Sequence, residues 1–179
     1  TLRNYVSGLN IPVGFKNATS GKVHTAIDAL VTASQCNLNL TIDDDAKVVL
    51  QNTEGNINTH IILRGGNITG PNYDEQNIKA FLADIAKYQQ YKLNHSLMID
   101  CSHGNSQGDF ENQITVLNNI IAQLQQEHGK YIRGIMLESF LKSGRQDLNL
   151  NQLKYGVSVT DACLGWDQTA NLIFELYNG

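Results

Sequence analysis

Four short apolar runs, each closed by a charged or metal-binding side chain, constrain this chain more than any other feature. They read "IPVGFKN" (11–17), "THIILRGG" (59–66), "SLMIDCSH" (96–103) and "YIRGIMLES" (131–139). Ile, Val, Leu and Met fill them without strict alternation, as in strands buried on both faces of a parallel sheet. Helical patterns occupy the gaps. Residues 21–35 place Val23, Ile27, Leu30 and Val31 on one face, and 73–89 place Ile78, Phe81, Leu82 and Ile85 behind an acidic first turn. Residues 109–129 carry Ile114, Leu117, Ile120 and Leu124 and stop at Gly129, and 167–179 form a terminal helix. Alternating strands and helices imply right-handed βαβ units around a parallel sheet. Only "LNLTIDDDAKVVLQN" (38–52) breaks the rhythm, as an inserted β-hairpin with an acidic turn.

Composition narrows the class. A length of 179 residues, 41% of them hydrophobic, suits one globular domain and is too short for two ordinary ones. A formal net charge of −4 argues against nucleic acid as a partner. No apolar run approaches the roughly 20 residues of a membrane helix, and "TLRNYVSGLN" lacks the layout of a signal peptide. Three scattered cysteines form neither a disulfide framework nor a paired zinc motif, so each is expected to be a buried thiol in a reducing compartment. The expected address is cytoplasmic.

In α/β architectures, ligands and catalytic groups gather at the C-terminal ends of the strands. Here Lys16, Arg64, the pair Asp100 and His103, and Glu138 all stand there. Lys16 reads as a Schiff-base lysine, an anion-binding one, or a solvated strand end. Arg64 beside Gly65 and Gly66 could bring backbone N–H groups and a guanidinium to one phosphate, or mark a plain turn. His103, Glu138 and Asp161 make a mixed nitrogen and oxygen donor set suited to Mn, Fe, Co or Zn. The duller alternative for Asp161, in "SVTDACLGW" (158–166), is capping of the last helix. His24, His60, His95 and His128 read as structural or solvated.

Taken in order, "SGLNIPVGFKNATSG", "HIILRGG", "PNY", "MIDCSHGNS", "GIMLES" and "YGVSVTDACLGW" resemble the type I 3-deoxy-D-arabino-heptulosonate 7-phosphate (DAHP) synthases. The resemblance runs from Ser7 to the C-terminus and implies a (β/α)8 TIM barrel of the shikimate pathway of aromatic amino acid biosynthesis. Such an enzyme is a transferase that condenses phosphoenolpyruvate with erythrose 4-phosphate. C3 of phosphoenolpyruvate attacks the metal-polarised aldehyde, water adds at C2 and phosphate leaves. Lys16 and Arg64 would hold phosphoenolpyruvate, with Arg64 on its phosphate. His103, Glu138 and Asp161 would be metal ligands, and His103 a proton-transfer neighbour as well. The family usually has Phe at Cys101, Gly at Ala18 and Ser at Asn10. In the family, the segment around Leu9 and Asn10 and the hairpin help form a site for an aromatic amino acid effector.

A full barrel takes about 250 residues, so residues 1–179 are expected to be its C-terminal half, four βα units with an inserted hairpin. The family's fourth metal ligand, a cysteine, would lie in the other half. Two alternatives stand beside the synthase reading: a class I aldolase with Lys16 as Schiff base, and a non-catalytic fragment that self-associates. An open half-barrel is expected to leave "IPVGFKN" and "YIRGIMLES" as edges, to expose inward-facing Val13, Phe15 and residues among Ile132, Ile135 and Leu137, and to form a homo-oligomer.

Overall fold

The computed structural model describes residues 2–178. Its centre is a four-stranded parallel sheet of β1 (Val13–Lys16), β4 (Thr59–Leu63), β5 (Leu97–Asp100) and β6 (Ile132–Met136), in the order β1-β4-β5-β6. The connections carry α2 (His24–Ser34), α3 (Glu75–Ile85) and α4 (Asn112–Leu124), and α5 (Trp166–Asn178) closes the described chain. The hairpin expected at 38–52 is β2 (Leu38–Ile42) and β3 (Val48–Asn52), antiparallel and separate from the main sheet. A short helix, α1 (Leu2–Val6), has no counterpart in the sequence reading. Among the described residues no helix is long and apolar enough to cross a membrane.

The two faces of the sheet have different fates. Strand side chains alternate between faces, and the register aligns Phe15, Ile61 and Leu97 in one row and Lys16, Ile62 and Met98 in the next. The first set, with Leu63, Ile99 and Cys101, packs against Leu30, Ile78, Phe81, Leu117 and Ile120 of the helices. The second face mixes Ile62 and Met98 with small or polar groups, among them Gly14, His60 and Gly134. A Cβ on Gly14 would lie 2.5 Å from Ile62 Cδ1 and 2.7 Å from His60 Nε2, so that glycine makes room for its neighbours.

This alternation corrects one expectation. Phe15, Ile135 and Leu137 pack against the helix-side core. Val13 shares their face by strand parity, and neither it nor Ile132 is exposed. The edges are β1 and β6, as expected, but exposed aliphatic surface concentrates elsewhere. Leu38, Leu40, Ile42, Val48 and Leu50 of the hairpin are each 56–68% exposed. A two-stranded ribbon has no third layer to cover its apolar face.

Local chemistry sets the helix ends. Asp74 caps α3 by accepting the Asn77 N–H at 3.0 Å, as a carboxylate at an N-cap does. Gly129 does not end α4, which stops at Leu124 before a 3-10 turn over Glu127–Tyr131. A Cβ there would meet Gln123 O at 2.4 Å and Leu124 O at 2.6 Å, so that glycine serves close packing.

Only one of the three cysteines is a buried thiol. Cys101 lies inside the core, Cys163 is half-buried and Cys36 is exposed. Burial, and next the charge of Asp100, push the Cys101 thiol up to about 12. Burial is also the main cause raising Cys163. Because the thiolate is the reacting form, a chromogenic disulfide reagent should label Cys36 first and Cys163 more slowly. Cys101 should react only after denaturant is added. Full reaction of all three thiols in native buffer would contradict this placement.

Candidate active site

Three buried asparagines fasten the loops that leave the C-terminal ends of the strands. Asn17 Oδ1 accepts the Arg64 N–H at 2.8 Å, and its amide donates to Gly65 O at 3.0 Å. Asn72 Oδ1 accepts the Gly65 N–H at 2.7 Å, while the Asn72 N–H donates to Asn105 Oδ1 at 2.8 Å. Asn105 in turn donates to Asp100 O at 2.8 Å and Leu63 O at 3.2 Å. Hydrogen bonds thus tie the loops after β1, β4 and β5 to one another. The sequence reading gave none of these asparagines a role; only Asn17 directly follows a strand run, while Asn72 and Asn105 stand further along their loops.

The same network changes the meaning of Arg64-Gly65-Gly66. The N–H groups of Arg64 and Gly65 are taken by Asn17 and Asn72, that of Gly66 by Gly70 O, and that of Asn67 by Thr19 O. No backbone donor from 64 to 67 is left for a phosphate. The glycines answer a steric demand: a Cβ on Gly66 would lie 2.2 Å from Gly21 N, and one on Gly65 2.5 Å from Asn105 N. What remains for an anion is the Arg64 side chain, which makes no ion pair among the described residues. It lines a cleft of about 580 Å³ together with His103, Thr19 and Gln107.

Lys16 does not line that cleft. Its Nζ stands 2.7 Å from Asp100 Oδ2, at the start of a row of charged groups across the rim. His103 Nδ1 is 2.9 Å from the same oxygen, and His103 Nε2 faces Glu138 Oε1 at 3.3 Å. Ser102 Oγ donates to Glu138 Oε2 at 2.9 Å. His103 adopts φ 56°, a left-handed conformation uncommon outside glycine and frequent where function constrains the backbone. Asp161 reaches the row from the loop before α5, not from a strand, and does not cap that helix. One donor atom each from His103, Glu138 and Asp161 lies within 4.8 Å of the others.

That donor set fits a divalent ion. Ligands about 2.0–2.2 Å from one ion stand roughly 3–3.5 Å apart, which matches the 3.3 Å between Nε2 and Oε1. Imidazole with two carboxylates suits borderline metals.

Glu138 is held from behind by Gln113, another residue the sequence reading missed. Gln113 is fully buried; its Oε1 accepts the Glu138 N–H at 2.8 Å and its Nε2 donates to Glu138 O at 3.2 Å. Gln113→Leu should cost about 1–3 kcal/mol, because two backbone groups lose their partner. An unchanged urea midpoint would show that the backbone of Glu138 finds other partners.

Residues 1–173 match the DAHP synthetase I family. The chain is 40% identical over 179 residues to the Tyr-sensitive phospho-2-dehydro-3-deoxyheptonate aldolase of Escherichia coli K12, covering 99% of this chain and 49% of that one. It is 39% identical over 189 residues to the phenylalanine-inhibited enzyme of that name from Saccharomyces cerevisiae, covering 99% and 49%. A solved phospho-2-dehydro-3-deoxyheptonate aldolase from Francisella tularensis superposes with a TM-score of 0.87 at 40% identity, over 99% of this chain and 50% of that one. The chain spans about half the length of these relatives.

Proposed function

Because the chain belongs to the DAHP synthetase I family, we propose that its rim serves the condensation of phosphoenolpyruvate with erythrose 4-phosphate. On this reading residues 1–179 form the C-terminal half of a (β/α)8 barrel, and the open face of the sheet is the barrel's interior. The observation that carries the reading is the convergence of His103, Glu138 and Asp161 within 4.8 Å, on a rim that also bears Lys16 and Arg64.

The residues divide the work by charge. Arg64 holds the phosphate of phosphoenolpyruvate through its guanidinium alone, since the neighbouring N–H groups are engaged. Lys16, paired with Asp100, supplies a second positive charge for the same substrate. His103, Glu138 and Asp161 would hold a divalent ion, Mn, Fe, Co or Zn, whose Lewis acidity makes a carbonyl carbon more electrophilic. A new bond joins C3 of phosphoenolpyruvate to the aldehyde carbon, water enters at C2, and phosphate departs.

The proposal extends to two further roles. The loop after α1 touches the hairpin through Ser7 Oγ and Thr53 Oγ1, 2.6 Å apart, which supports an effector site for an aromatic amino acid there. The free edges of β1 and β6 and the exposed hairpin face support self-association. A cytoplasmic setting agrees with the substrates.

Arg64→Ala tests the substrate assignment. A charge-assisted contact contributes about 1.5–3 kcal/mol, so the Michaelis constant for phosphoenolpyruvate should rise roughly 10- to 150-fold. That for erythrose 4-phosphate should change little. An unchanged constant for phosphoenolpyruvate would remove Arg64 from the site. Borohydride trapping of a carbonyl substrate on Lys16, without any metal requirement, would replace the whole reading by Schiff-base chemistry.

A further inference from the structure

Asp100 is the only fully buried carboxylate among the described residues, and the reaction described above gives it no step. Its Oδ1 accepts the Ser102 N–H at 3.0 Å. Its Oδ2 lies 2.7 Å from Lys16 Nζ and 2.9 Å from His103 Nδ1. That nitrogen is also the one buried side-chain polar atom among the described residues with no aligned hydrogen bond. A close acceptor and an unpaired ring nitrogen therefore face each other out of water.

The two neutral forms of the ring differ sharply here. With the proton on Nε2, the lone pair of Nδ1 would confront the carboxylate at 2.9 Å, two acceptors buried together without a hydrogen between them. With the proton on Nδ1, a small adjustment gives a charge-assisted hydrogen bond. The lone pair of Nε2 then faces Glu138 Oε1 at 3.3 Å, an arrangement that calls for a cation between them. Outer partners of this kind orient metal-bound histidines and raise their basicity.

We infer that Asp100 is a positioning residue that fixes the Nδ1–H form of His103 and anchors Lys16 through the same oxygen. It thereby ties the lysine assigned to the substrate to the histidine assigned to the metal. The inference rests on the metal reading of the rim.

Nitrogen-15 NMR of metal-free protein, read on the singly protonated ring, should find the His103 proton on Nδ1. Asp100→Ala should shift that proton towards Nε2. Cobalt(II) affinity, read from a competing chromogenic chelator, should fall about 10- to 100-fold. The double variant Lys16→Met/Asp100→Leu removes both charges, guards against misfolding, and should show the same fall. Lys16→Met alone should bind cobalt nearly as the unsubstituted chain does. A neutral ring with its proton on Nε2 in the unsubstituted chain would overturn the inference. So would a double variant that binds cobalt undiminished. If the unsubstituted chain binds no cobalt, the metal reading falls, and the NMR result alone decides whether Asp100 orients the ring.

Discussion

His103→Ala should lower the affinity of the chain for a divalent ion by at least ~100-fold, because loss of a mere outer partner already costs about 10- to 100-fold. The imidazole is the sole nitrogen donor among the three groups that converge within 4.8 Å. Two carboxylates left facing each other bind hard cations weakly and borderline metals poorly. Glu138→Gln should come close to the same loss, since it keeps the shape and the Ser102 contact but removes a negative charge. Asp161→Asn should do less, because Asp161 is exposed and already competes with water. Competition with a chromogenic chelator gives all three values. If the proposed function holds, turnover of the complete synthase should fall in the same order, and added metal should rescue Asp161→Asn first. Affinity in His103→Ala equal to that of the parent would remove the metal from this rim.

The order of strands and helices was legible because its cause is local. A four-residue run such as "LMID" between amphipathic segments leaves little choice but a strand covered by helices, and β5 lies where the run does. The hairpin was legible for the same reason, through alternation in its first arm and the acidic turn between two apolar arms. Which face of each strand meets the helices was less accessible. In a run without alternation, period 2 gives no phase, so Val13 and Phe15 were placed inward although the helix-side core holds Phe15.

At the site, sequence offered the charged ends of the strands but not what holds them. Lys16, His103 and Glu138 announce themselves by type and position. Asn17, Asn72, Asn105 and Gln113 act through backbone groups far away in sequence, and nothing in a single chain reveals which carbonyl an amide will meet. Arg64-Gly65-Gly66 shows the cost of reading a motif without its partners. Glycines next to an arginine suggest free N–H groups for phosphate, yet every one of those donors is already committed to another group of the protein.

Gly65→Ala should be among the most damaging small substitutions at the rim. Gly65 has φ 66°, where a side chain costs about 1–2 kcal/mol. The new Cβ would also stand 2.5 Å from both Asn105 N and Gly104 C. These are backbone atoms, fixed by Asn105 and unable to swing away, and relief of such overpacking costs about 1–3 kcal/mol more. The total, about 2–5 kcal/mol, is a large share of the 5–15 kcal/mol that holds a typical domain together. Gly144→Ala is the matched control, since Gly144 has φ 92° with nothing within 4 Å of the added carbon. It should cost only the conformational part, about 1–2 kcal/mol. Urea unfolding of both variants separates the two contributions. The steric part should also part the loop of Arg64 from that of His103, so Gly65→Ala should bind inorganic phosphate more weakly at low denaturant while Gly144→Ala binds it normally. Equal losses of stability in the two variants would mean that the loops give way easily, and that the asparagine network does not lock Arg64 to His103.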